Sequence, residues 1–169
     1  MIINLSDLLD EVTISLDFDR KLDLDTLKVN GRDIYFTTPI KVNGSIYKAS
    51  KDIVIDGQIL YNYKENCARC LKEFKKSVRT KLSGKLVNEN RIDEEDVEAD
   101  DVVIEYNNRH INLERAVINE VILALPMKSL CSSDCKGICQ KCGKNLNEGK
   151  CDCEIDDIDP RLAKLKELL

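Results

Sequence analysis

The chain has 169 residues and a formal net charge of -5, long enough for one domain with a buried core and too acidic for a uniformly basic nucleic-acid binder. Hydrophobic residues at 43% and charged residues at 34% are ordinary for a soluble globular protein, but aromatics are sparse and tryptophan is absent. A local basic patch is compatible with that balance.

The first residues, MIINLSDLLDEVTISLDFDR, carry no basic n-region, no apolar run of signal-peptide length and no small-residue cleavage site. The most apolar segment, VINEVILAL, is far shorter than a membrane span and contains Glu120. These features predict a cytoplasmic protein with no membrane contact, in a compartment where thiols stay reduced.

The N-terminal two-thirds reads as strands. In VTISLDF, Val12, Ile14, Leu16 and Phe18 alternate with polar residues. From Thr38, the run TPIKVNGSIYK places Ile40, Val42 and Ile46 on one face. Asn43-Gly44 could be a hairpin turn, although the alternation runs through it in phase; one strand turning at ASKD fits equally well. DIVIDGQILYNY returns, and KEFKKSVRTKLSGKL follows the pair CARC. Successive strands with short polar turns predict an antiparallel sheet or an open barrel.

The segment ENRIDEEDVEADD is acidic and nearly free of large apolar groups, which predicts a solvated loop. A short strand, VVIEY, leads to a helix predicted over 112–125. There Leu113, Ala116, Val117, Val121, Ala124 and Leu125 recur at helical spacing, Asn112 can cap, and Pro126 ends the run. At the end of the chain, Asp159 and Pro160 suit the start of a second, short helix with the stripe Leu162, Leu165 and Leu169. The fold class is therefore α+β, with a β-rich domain over 1–128 and a cysteine-rich appendage over 129–169.

Between these helices lies CSSDCKGICQKCGKNLNEGKCDC, in which six residues are cysteine. Cys139-Gln-Lys-Cys142-Gly143 has the spacing of a zinc knuckle: two thiolates two residues apart reach one tetrahedral ion, and glycine permits the tight turn. Cys131 and Cys135 precede it, and Cys151 and Cys153 follow a turn-rich stretch that can bring them back beside it. A closed structural zinc site takes four ligands. Either four of these six bind one zinc and two are spare, or Cys67 and Cys70 join them and eight cysteines hold two ions. Cys67 and Cys70 rank below the six because no second pair lies near them in sequence; buried or redox-active thiols are the competing reading. A catalytic metal site would keep a position open and use histidine or carboxylate. The single histidine, His110, stands just ahead of the predicted helix, as a capping or surface residue. The metal is therefore predicted to be structural. A thiol oxidoreductase would need CARC in a βαβ context, and strands flank it here.

Charge supplies the other signal. In the strand after CARC, Phe74, Val78, Leu82 and Leu86 share one face, and Lys75, Arg79, Lys81 and Lys85 share the other. A row of cations can follow a phosphate backbone. Lysines that protect an edge strand from aggregation make the same pattern.

The ordered motifs CARCLKEF, INLERAVINEVILALPMKSLC, CKGICQKCGKNLNEGKCDC and IDPRLAKLKELL resemble the YceD family, the large ribosomal RNA subunit accumulation proteins of bacteria. The resemblance is most specific from Ile111 onward. It implies a ribosome biogenesis role, with ribosomal RNA or a large-subunit ribosomal protein as partner, no small-molecule substrate, no enzymatic activity and no catalytic residues to transfer. Some members lack the C-terminal cysteines and keep the first pair. That directs functional interest to Cys67, Cys70 and the basic strand after them. The competing function is a zinc-stabilised protein-interaction adaptor that never touches RNA.

Overall fold

The computed structural model describes residues 1–89 and 102–153. The chain forms two compact units, Met1–Glu65 with Phe74–Ser129, and Asn66–Glu73 with the segment from Leu130. The second unit thus includes the CARC loop as well as the cysteine-rich segment. The acidic stretch read as a loop, apart from Glu89, and the short C-terminal helix lie outside the described residues.

The elements run β1 (Ile2–Asn4), α1 (Ser6–Leu9), β2 (Ser15–Leu22), β3 (Thr26–Val29), β4 (Arg32–Phe36), β5 (Ile40–Ala49), β6 (Asp52–Asn66), β7 (Glu73–Asn88), β8 (Val103–Asn107), β9 (His110–Asn112) and α2 (Glu114–Ala124). The strands form one curled sheet in the order β1-β9-β8-β7-β6-β4-β3, with β5 also on β6 and β2 beyond β5. Strand β6 makes this branch because it outlasts its neighbour. Its first part pairs with β5, from Ala49↔Asp52 to Lys41↔Leu60, and its later residues Tyr63 and Lys64 pair with Phe36 and Tyr35 of β4. The pairing is antiparallel except where β8 runs parallel to β7, from Lys85↔Val103 to Asn88↔Tyr106. The expected antiparallel sheet or open barrel is thus a curled, mostly antiparallel sheet that includes one parallel pair.

Strand β5 continues through Asn43-Gly44 and turns at Ser50, whose φ is 58°. The Asn-Gly hairpin of this chain is instead Asn30-Gly31, where φ is 50° and 76° and Val29 pairs with Arg32. Gly44 faces Gly57 across the β5–β6 pair, and a Cβ on Gly44 would stand 2.3 Å from the Asp56 carbonyl oxygen. No other residue fits so close a backbone approach. On the opposite neighbour, Phe18 pairs with Gly44 and is buried. The first strand starts later than its alternation suggests. Val12 and Ile14 are 73% and 83% exposed: the Val12 N–H turns back to the Asp7 carbonyl, and Ile14 meets β5 only through the Lys48 N–H.

The core of this unit is aliphatic, with Tyr61 and Tyr63 as its largest members. Helix α2 closes it. Leu113, Val117, Val121 and Leu125, four residues apart, are all buried, while Leu123 is 77% exposed. The Asn112 side-chain oxygen accepts from the Glu114 N–H at 3.1 Å, and the chain becomes extended at Leu125 ahead of Pro126. A polar cluster joins three segments at one edge of the core. Arg32 Nη1 donates to Glu65 Oε2 and Ser129 Oγ, and Nη2 donates to the Pro126 carbonyl at 2.9 Å.

Val121→Asp places an unpaired carboxylate where the valine is fully buried. The expected loss of stability is on the order of 4 kcal/mol, read from the denaturant midpoint. Leu123→Asp, on the exposed face, should shift that midpoint by less than about 0.5 kcal/mol.

Candidate metal centre

The second unit contributes no residue to the hydrophobic core: its buried apolar side chains, among the described residues, are Cys67, Cys70, Cys135 and Cys139. The described residues of this unit bury no aliphatic side chain, so their folding energy has to come from another source.

Two of its turns are built alike. In the first, the Leu71 N–H donates to the Cys67 carbonyl at 2.9 Å, and the Cys67 N–H donates to the Lys72 carbonyl at 2.9 Å. In the second, the Gly143 N–H donates to the Cys139 carbonyl and the Cys139 N–H to the Lys144 carbonyl, each at 2.8 Å. Both turns need a left-handed residue directly after the second cysteine. Gly143 meets this freely at φ 73°, whereas Leu71 adopts φ 59° at a cost in strain. The two CxxC sequences thus fold as equivalent knuckles, each aiming a pair of thiols to one side.

The thiols divide four and four. Cys67, Cys70, Cys131 and Cys135 have all their sulfurs within 4.8 Å of one another, and so do Cys139, Cys142, Cys151 and Cys153. The sequence-predicted six are therefore not one pool: Cys131 and Cys135 group with the lower-ranked Cys67 and Cys70. In the first tetrad, Cys67 Sγ lies 3.7 Å from Cys135 Sγ, and Cys70 Sγ lies 3.6 Å from Cys131 Sγ. Sulfurs at ~2.3 Å from a zinc ion in tetrahedral array stand ~3.8 Å apart, so the donors are spaced for such an ion. None of the eight forms a disulfide. Either tetrad could hold a metal ion.

Electrostatics point the same way. Burial opposes ionisation of Cys67, but N–H groups of Cys70, Cys131 and Arg69 outweigh it and bring the thiol down to about 6. The N–H groups of Cys142 and Lys141 bring Cys139 to about 6 as well. Their neighbours move oppositely: Cys131 is pushed up to about 12, first by its contact with Cys70, and Cys153 to about 12, first by Cys142. A first thiolate in each tetrad forms easily, and the last forms only against its neighbours' charge. A cation at the centre removes that conflict.

Backbone and side-chain bonds stitch the unit together, within its later segment and between that segment and the CARC loop. Arg69 Nη1 donates to the Cys135 carbonyl at 2.8 Å, the Leu146 N–H to the Gly137 carbonyl at 2.9 Å, and Ile138 bridges to Asn145. Asn147 lies in the loop between Cys142 and Cys151, yet it serves the first tetrad. Its Nδ2 donates to Cys135 Sγ at 3.4 Å while its Oδ1 accepts from the Lys136 N–H at 2.8 Å. Sequence reasoning passed over Asn147. The signal present was NLN at the centre of a loop otherwise explained by turn propensity.

The other predicted residues lie on β7. Lys75, Arg79 and Lys81 are exposed, and among the described residues no carboxylate pairs with them. Lys85 is different: its side chain is 17% exposed and its Nζ is 2.9 Å from Asp52 Oδ1. Among the described residues, Lys85 is the one member of the predicted cation row that a carboxylate holds. His110 is exposed on β9 and belongs to neither tetrad.

The family profile described as "Large ribosomal RNA subunit accumulation protein YceD" matches residues 55–169, a span that includes every cysteine. The chain belongs to the YceD family. An uncharacterized protein of Mycobacterium tuberculosis is 31% identical over 126 residues, 73% of this chain and 59% of that protein. The chain thus spans less than two thirds of the length of that relative. The chloroplastic YCED homolog 1 of Arabidopsis thaliana, named a large ribosomal RNA subunit accumulation protein, is 26% identical over 157 residues, 78% of this chain and 49% of its own. The uncharacterized protein YlbN of Bacillus subtilis is 28% identical over 156 residues, covering 92% of this chain and 88% of its own. No solved structure matches. Within this YceD chain the two CxxC pairs fall in different tetrads, so the first pair has its own partners.

Asn147→Ala removes a donor from Cys135 without touching a ligand. The first tetrad should release its metal to a chelator roughly tenfold faster, with release from the second unchanged. The two rates can be read separately by following, through alkylation and mass spectrometry, which cysteines the chelator frees: Cys67 and Cys70 for the first tetrad, Cys142 and Cys151 for the second.

Proposed function

We propose that this chain is a non-enzymatic, cytoplasmic ribosome biogenesis factor that supports accumulation of large-subunit ribosomal RNA, contacting RNA through Lys75, Arg79 and Lys81 and folding its second unit around two structural zinc ions. The observation that carries the reading is membership of the YceD family, whose description names that RNA. All-cysteine donor sets support a structural role for the metal. They form closed cages with no carboxylate or histidine to activate water, and zinc is the usual ion of such sites. In the first tetrad, Cys67, Cys70, Cys131 and Cys135 would hold one ion, and Cys139, Cys142, Cys151 and Cys153 the other. Each ion would supply folding energy to a unit whose described residues bury no aliphatic side chain.

The cations of β7 suit a phosphate backbone. They stand on one face at two-residue multiples, a pitch of about 6.5–7 Å per two residues. Each single-stranded phosphate neutralised adds about 0.7 to the slope of log affinity against log salt. Arg79→Gln with Lys81→Gln should therefore flatten that slope by about 1.4, with the fold intact because both side chains are exposed. Binding of a large-subunit ribosomal RNA fragment over a salt series checks this. Identical slopes would remove β7 from the interface, and no binding by the parent at low salt would favour the protein-adaptor reading.

A further inference from the structure

The β7 cations continue sideways across the sheet. In the register of β2 and β5, Lys21 stands directly opposite Lys41, and Lys41 in turn stands opposite Leu60 of β6. Strands β6 and β7 form a hairpin in which Ser77 Oγ donates to Asn62 Oδ1. Two residues further along each strand, Arg79 is therefore level with Leu60. Lys21, Lys41, Leu60 and Arg79 make a row over four adjoining strands, each step about 4.8 Å. At Arg79 it meets Lys75 and Lys81, which lie along β7.

Lysines directly opposite one another in a sheet repel, which costs stability. Elsewhere β2 and β5 place compatible groups together: Ser45 Oγ donates to Asp17 Oδ1 at 2.6 Å. Nearby, Lys48 pairs with Glu11 at 3.0 Å. Lys21 and Lys41 are exposed and have no ion-pair partner among the described residues. Beside Lys41 a concavity of about 300 Å³ is lined by Thr38, Pro39, Leu60, Asn62, Ser77 and Val78. It combines apolar surface with hydroxyl and amide groups, the mixture that accepts an unstacked base.

We infer that this row binds single-stranded RNA across the strands, with phosphates on Lys21, Lys41 and Arg79 and a neighbouring base in the concavity beside Lys41. The inference rests on the RNA reading above and extends its contact from one strand to four. An anion bridging Lys21 and Lys41 relieves the repulsion that the free protein carries.

The test uses the full chain, a single-stranded oligouridylate and its duplex with oligoadenylate. Lys21→Gln with Lys41→Gln should flatten the salt slope by about 1.4 and weaken binding at low salt. The melting temperature should stay level or rise, since a repulsive pair is gone. Lys48→Gln, which removes a lysine already paired, should leave the slope unchanged. An unchanged slope in the double variant, or equal affinity for the duplex, would overturn the inference. If Arg79→Gln with Lys81→Gln still flattens the slope in that case, the β7 contact stands without the row. A parent that fails to bind at low salt overturns both.

Discussion

Four sulfurs held within 4.8 Å of one another are the constraint on which the second unit depends. Thiols that close cannot all ionise against each other, and neutral thiols give little cohesion to a segment whose described residues bury no aliphatic side chain. The first tetrad also joins distant parts of the chain: Cys70 and Cys131 are 61 residues apart, and Cys67 and Cys135 are 68 apart. Closing so long a loop costs conformational entropy. A dication coordinated by thiolates would offset part of that cost. The pattern of depressed and elevated thiols is what such a site shows before its ion is counted.

The knuckle over Cys139–Cys142 was legible in the sequence because its determinants are local: two cysteines, the spacing between them and the following glycine. The other knuckle was harder to read. Leu71 occupies the left-handed position that glycine holds in the second, and the partner thiols come from Cys131 and Cys135. Spacing within CARC cannot reveal that pairing; only the tertiary fold brings the segments together. The division of the chain was obscured for the same reason, since Asn66–Glu73 belongs with a segment that follows it at a distance.

Helix α2 was readable almost residue for residue, because its apolar stripe faces the core at a steady period of four. Strand ends were less so. Val12 and Ile14 continue an alternating pattern ahead of Ser15, where β2 starts, so pattern outran pairing. The two Asn-Gly sequences behaved differently despite identical residues. Asn30-Gly31 turns, while Asn43-Gly44 stays extended because Gly44 must pass within van der Waals contact of Gly57. Among the cations, Lys75, Arg79 and Lys81 stand where alternation puts them, but Asp52 claims Lys85. The meeting of Lys21 and Lys41 depends on the β2–β5 register and is invisible in either segment alone.

The central claim is that eight cysteines form two separate four-thiolate metal sites. The most direct measurement is native mass spectrometry of the full chain purified without added metal, with alkylation of the thiols before and after chelation. The account predicts two zinc ions per chain and protection of all eight cysteines, Cys67 and Cys70 included, until the chelator is added. A chain carrying one ion or none, with Cys67 and Cys70 alkylated at once while the second unit stays folded, would contradict it.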